Sequence, residues 1–309
     1  MLSSSVMGPD RTARSAGRRR RRAMLGAMTT EGAWPAAVAH VRDRSRGGPV
    51  PPSSRVVLHF HPDAPAGDGT VMEALAEHGV YRSQFETGTS NGGLTAYPGG
   101  DRWRWESRLF GGVYDDGPAA GRPRYGALLL DGDPYGAAPR FGSAYLRLRA
   151  HLLARMTFAY PDSAHAPRHV GTADRFDLAA RLLAEPRPDP LDRYVEAHVH
   201  GGVVVADHVE AVVLDPSYRG TPVAHAARRL RCPVEWHPGY LAALTAFDPD
   251  YRGAAPVALA ERIAGGGELT PARLGPWRRA DVDARTLKQV WHLLARYGRR
   301  AGPHRRARS

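Results

Sequence analysis

The feature that most constrains this chain is the alternation of residues 194–215. In YVEAHVH (194–200) the polar Tyr194, Glu196, His198 and His200 are interleaved with Val195, Ala197 and Val199. A pleated strand sends successive side chains to opposite faces, so the polar four share one side of a sheet and the apolar three the other. VVVA (203–206) and VEAVVLD (209–215) read as further strands. Gly201-Gly202 between alternating runs predicts a two-residue hairpin turn.

RVVLHFHPD repeats the pattern nearer the N-terminus, with Val57, His59 and His61 on one face and Val56, Leu58 and Phe60 on the other, until Pro62 ends it. YGALLL (125–130), GSAYLRLR (142–149) and MTFAY (156–160) add strands. Helices are expected at 34–44, 174–184, 221–230 and 283–297. Another is expected after Thr70, where Glu73 completes a capping box and Gly79 supplies the stop. Residues 81–112 have no clean period. Within them DRWRWESRLFGG (101–112) reads as an amphipathic strand with its tryptophans in the core, although interleaved Arg102, Trp103, Arg104 and Trp105 could also stack a base. This order predicts an α+β fold. A main domain at 34–220, with a mixed or split sheet flanked by helices, would carry a small helical extension at 221–298. Basic segments at 1–33 and 299–309 would lie outside it.

A chain of 309 residues with 42% hydrophobic and 24% charged residues can bury a sizeable core, which excludes wholly disordered and collagen-like classes. The lone Cys232 excludes a disulfide scaffold and suits a reducing compartment. No run approaches the roughly 18 apolar residues of a membrane span. The apolar AMLGAM after Arg18–Arg22 is too short for a signal peptide, so a cytoplasmic protein without a membrane partner is expected. The net charge of +12 suggests nucleic acid at first. Its location changes that reading: residues 1–48 contribute +7 and 290–309 contribute +6, leaving the body one charge negative. Weak nucleic-acid contact through the two tails is all this implies. Arginine so dominates that Lys288 is the single lysine.

The chemistry concentrates on two strand faces, and three readings compete. His59 and His61 with His198 and His200 could hold a divalent transition metal for a hydrolase, Glu196 or Asp63 adding a carboxylate. Glu196 could instead act alone, stabilising a cationic sugar-like transition state while His59 positions the substrate. Otherwise the histidines are structural, and the Arg/Trp patch and basic tails would fit a non-catalytic nucleotide- or partner-binding module. In YRSQFETGTSNGG (81–93), Gln84 and Glu86 alternate, and the Gly/Ser/Asn cluster can turn backbone N–H groups toward an anion. Ser143 and Ser163 lie outside any Gly-x-Ser-x-Gly elbow, and no Walker loop or dinucleotide fingerprint is present.

The strings LHFHPD, YRSQFETGTSNGGLTAYPGGDRWRWESRLFGG, RPRYGALLL, FGSAYLRLR, YVEAHVHGGV and VLDPSYRGTP resemble a largely actinobacterial family, domain of unknown function 3626. The similarity runs from about residue 35 to residue 297 and brings no established activity. A second resemblance is to the ADP-ribosyltransferase superfamily, with His59, Ser143 and Glu196 at the three strand positions that family uses. It implies NAD bound as cosubstrate in the cleft of a split sheet. Glu196 would hold the nicotinamide ribose 2′-hydroxyl and support an oxocarbenium-like transition state, with His59 positioning the dinucleotide. His61, Tyr81, Arg82, Gln84, Glu86, Asn91 and His198 would contact the NAD. The acceptor would be a protein or a small molecule.

Overall fold

The fold is that of a computed structural model, which describes residues 33–88, 95–130, 132–163, 167–185 and 189–301. The segment 1–32, the tail 302–309 and Asn91 lie outside these described residues.

Eight strands form one mixed sheet: β1 (Arg55–Phe60), β2 (Arg124–Leu129), β3 (Ala144–Leu148), β4 (Met156–Tyr160), β5 (His169–Thr172), β6 (Glu196–Val199), β7 (Val209–Leu214) and β8 (Val234–Trp236). Their order is β8-β7-β3-β1-β2-β6-β4-β5, and every neighbouring pair is antiparallel except β7 and β8. The α+β architecture follows, with helices on both faces. The two outlying ladders, Pro65–Ala66 with Gly69–Thr70 and Val80–Tyr81 with Val203–Val204, have two strands each.

The period-2 pattern places the main core. Val56, Leu58 and Phe60 of β1 and Ala197 and Val199 of β6 pack with Leu146, Phe158 and Leu214 on one face. Helices α1 (Trp34–Arg42), α2 (Val71–His78), α3 (Asp101–Phe110), α4 (Leu178–Ala184) and α5 (Pro222–Ala227) flank the sheet. Met72 and Leu75 of α2, Leu178 of α4 and Val223 of α5 close the apolar face. Each such side chain contributes about 1.5–3 kcal/mol by leaving water. Helix α2 starts as its sequence demands, with Thr70 and Glu73 capping reciprocally and Gly79 left-handed at φ 67°. The last helices, α6 (Ala254–Ala264) and α7 (Ala284–Tyr297), build a second apolar cluster around Trp291, Leu259 and Ile263. Among the described residues no helix is long and apolar enough to cross a membrane.

Two expectations need correction. Residues 101–110 are a helix, not a strand: Arg102, Trp105, Glu106, Leu109 and Phe110 are buried at i, i+3, i+4, i+7 and i+8, and Gly111 ends the helix at φ 68°. The hairpin at Gly201-Gly202 does not form. Both edges of β6 are taken, by β2 and β4, so Val203 and Val204 pair with Tyr81 and Val80 instead. Val205–His208 is then one turn of helix before β7. Helix α6, in a stretch with strong loop signals, is an element the sequence pattern does not announce.

Candidate functional site

The second face of the sheet is polar, and its register brings distant residues together. Strands β1 and β6 flank β2, and Ala127 of β2 lies opposite both Val57 and Glu196. By alternation His59, Tyr125, Glu196 and His198 share this face, with Tyr145 opposite His59 and Thr157 opposite His198. Helix α3 lies across the part bearing His198 and His200. Trp105 packs 5.1 Å from the His198 ring and Phe110 4.9 Å from the His200 ring, centroid to centroid. Glu106 of α3, ion-paired with Arg122 at 2.8 Å, accepts a 2.7 Å hydrogen bond from the Tyr125 hydroxyl.

Beyond the end of α3 a cleft of about 80 Å³ remains. Glu196, Asp162, Ser163 and His59 line it, with Tyr81, Tyr125 and Phe141 as aromatic walls, Gln84 at one side, and Arg102, Arg140 and Lys288 as cations. At roughly 10–15 Å³ per water this holds about six waters, the size of a ribose or nicotinamide ring and far short of a whole dinucleotide.

Glu196 is 5% exposed and held at both oxygens. Ser163 Oγ donates to Oε2 at 3.0 Å, and His198 Nε2 lies 3.1 Å from Oε1. Behind it runs a buried chain of contacts. His198 Nδ1 lies 2.9 Å from Thr157 Oγ1, which lies 2.9 Å from His200 Nε2, and His200 Nδ1 lies 2.7 Å from the Tyr114 hydroxyl. For an ionised Glu196 and uncharged imidazoles the protons have one arrangement, because a carboxylate only accepts. His198 donates from Nε2, so its Nδ1 accepts from the Thr157 hydroxyl. Thr157 then accepts from His200 Nε2–H, and Tyr114 donates to His200 Nδ1. Burial holds His200 well below the usual histidine range, with His198 and Arg155 adding to the effect, and pushes the Tyr114 hydroxyl far up. Both stay uncharged near neutrality.

His59 is equally fixed. The backbone N–H of Ala138 donates to Nε2 and Nδ1 donates to the Gly142 carbonyl, both at 3.2 Å. Burial lowers its pKa to about 3. The covering loop approaches so closely that a Cβ on Gly136, at φ 80°, would stand 2.4 Å from His59 Nε2. His59 is therefore a neutral wall of the cleft with no free nitrogen for proton transfer. Burial, reinforced by Arg140 and Arg252, lowers the Lys288 amine from its ordinary value.

Of the residues expected from sequence, Glu196, His59, Tyr81 and Gln84 meet in the cleft, and His198 stands directly behind Glu196. Others do not line it. Ser143, buried, bonds to Tyr218, whose hydroxyl donates to Asp63. His61 packs edge-on against Trp291, Arg82 is exposed, and Glu86 caps a helical turn at Ser83 and pairs with Arg124. The four histidines of the metal reading are placed as follows. His59, His198 and His200 have both nitrogens committed to protein partners, and among the described residues no group of three or more His, Cys, Asp and Glu could hold a metal ion.

Sequence reasoning missed Tyr125, Arg140, Phe141, Asp162 and Lys288, and left Ser163 without a role. Only Lys288 carried a signal, as the single lysine among so many arginines.

A search of the curated proteins finds no match. The family model described as "Protein of unknown function (DUF3626)" matches residues 55–187 and 183–297. The matched segments contain every described residue of the cleft, and the chain belongs to this family.

Proposed function

We propose that this chain is an NAD-consuming enzyme of the ADP-ribosyltransferase type, with Glu196 acting at the nicotinamide ribose. One observation carries the reading: Glu196 and His59, remote in sequence, line a single narrow cleft in which Ser163 and His198 hold the carboxylate. The cleft suits the reacting end of NAD, with room for one of its rings: Glu196 matches a ribose hydroxyl, the aromatic walls match a pyridinium ring, and Arg102, Arg140 and Lys288 supply positive charge for an anionic dinucleotide. A cytoplasmic setting, which the lone cysteine suits, would supply NAD.

The step balances as follows. The C1′–N bond breaks and its electron pair neutralises the pyridinium nitrogen, so nicotinamide leaves uncharged. Positive charge develops on C1′ and the ring oxygen, where the fixed Glu196 carboxylate stabilises it. Water or an acceptor hydroxyl or amine then bonds to C1′ and gives its proton to Glu196. His59 contributes shape: a neutral ring that keeps water from one side of the sugar.

Nicotinamide release from labelled NAD tests the proposal. Glu196→Gln should lower the rate at least 100-fold while NAD still binds. Background-level release from both proteins would end it.

A further inference from the structure

A cavity larger than the Glu196 cleft lies elsewhere. Between the end of α1, α3, β5 and α4 lies a cleft of about 590 Å³, inside the 300–1,000 Å³ range of small-molecule sites. We infer that it binds a phosphorylated small molecule of nucleotide size. This goes beyond the proposed activity of the Glu196 cleft and does not depend on it.

The charge is the first argument. Arg44, Arg46, Arg108, Arg168 and Arg181 converge on this cleft from four segments, and Asp177 is the single carboxylate among the described residues of its lining. Asp177 pairs with Arg181 at 3.0 Å, and Glu185, from outside the lining, reaches Arg168 at 3.4 Å. Arg44, Arg46 and Arg108 have no ion pair within 4 Å among the described residues. Arg44 instead donates to the backbone carbonyls of His40 and Leu109, which aims its guanidinium while leaving its charge uncompensated. Arg44 and Arg46 come from the basic segment 1–48 and Arg108 from the nearly neutral body, so three guanidinium groups without a carboxylate partner meet in one concavity. Guanidinium groups suit phosphate, which they bind through paired N–H donors.

Shape and apolar lining supply the rest. Trp105, Leu109, Pro167 and Val170 give the same lining an apolar part, as a base or sugar attached to phosphate would require. A concave site of this volume takes a mononucleotide-sized ligand, whereas a nucleic-acid strand would call for an open basic groove that tracks its backbone.

The test titrates ADP, inorganic pyrophosphate and adenosine onto the full chain by calorimetry at 50 and 200 mM salt. ADP should bind most tightly, pyrophosphate more weakly and adenosine least, with ADP affinity falling as salt rises. Arg46→Glu with Arg108→Glu, both exposed and without ion pairs, should weaken ADP at least tenfold while the melting temperature stays unchanged. Arg46→Ala with Arg108→Ala should weaken it less, and Glu196→Gln should leave it as in the wild type. ADP affinity indifferent to both arginine pairs, or lost in Glu196→Gln, would overturn the inference. So would an oligonucleotide that binds through these arginines where ADP does not. Failure of nicotinamide release bears only on the Glu196 cleft, so the two readings fail separately.

Discussion

Replacing Thr157 by Val probes the buried chain behind Glu196 at its middle link. The shapes are nearly equal and the site is completely buried, so the main change is the loss of one hydroxyl. That hydroxyl partners His198 Nδ1 and His200 Nε2, each at 2.9 Å. Leaving a buried polar group unpartnered costs about 1–3 kcal/mol, so two cost about 2–6 kcal/mol. The extra buried methyl returns at most about 1 kcal/mol. The net loss of about 1–5 kcal/mol is a large share of the 5–15 kcal/mol typical of a folded domain. Urea unfolding should show it as a lower midpoint at unchanged slope. Thr157→Ser, which keeps the hydroxyl, should recover most of the loss. Nitrogen-15 spectra of the imidazoles supply a second readout. The wild type should show His198 protonated at Nε2 and accepting at Nδ1, and Thr157→Val should mix the tautomers. A loss below about 0.5 kcal/mol with unaltered imidazole signals would refute the head-to-tail chain.

Two further outcomes follow from the same geometry. His59 and His292, both held near pKa 3 by burial, are neutral in the folded protein, as are His61 and His200, while the unfolded chain titrates them near 6.5. Between those values the unfolded state binds more protons, so stability is fully present above pH 6.5 and falls toward pH 3, by roughly 1.4 kcal/mol per pH unit for each such histidine. Denaturant midpoints measured from pH 8 to pH 4 should be flat above about 7 and fall steeply below 6; a midpoint constant down to pH 4 would contradict the burial of these rings. Gly136→Ala would add a left-handed non-glycine residue and a methyl pressed on His59 Nε2, at a cost of about 2–4 kcal/mol, and should lower NAD turnover by moving the wall of the cleft. An unchanged melting temperature would show that the loop gives way freely.

What was legible in the sequence was legible because it is local. The pleats of β1 and β6 are set by alternation, which puts Val56, Leu58, Phe60, Ala197 and Val199 in the core and His59 and Glu196 in the cleft. Capping at Thr70 and Gly79 is equally local. Helix α3 was misread because DRWRWESRLF fits both periods. Only the partners it meets, Tyr125 and His198, reveal that the helical one is used. The hairpin at Gly201 failed because the partners of β6, at 124–127 and 156–159, lie far away in sequence and fill both its edges. Lys288, Asp162 and Arg140 carry no strand pattern. They reach the cleft through the docking of α7 and two irregular connections, which no short-range pattern encodes.

Lys288 also supplies the most direct measurement of the central claim, that the cleft beside Glu196 holds the reacting end of the ligand. Because the chain has no other lysine, acylation of its side-chain amine reports on one position. Glu196→Gln, unable to turn NAD over, should show the Lys288 acylation rate fall at least fivefold at saturating NAD, while the terminal amine reacts as before. A Lys288 rate indifferent to NAD would mean that the cleft is not where the dinucleotide sits.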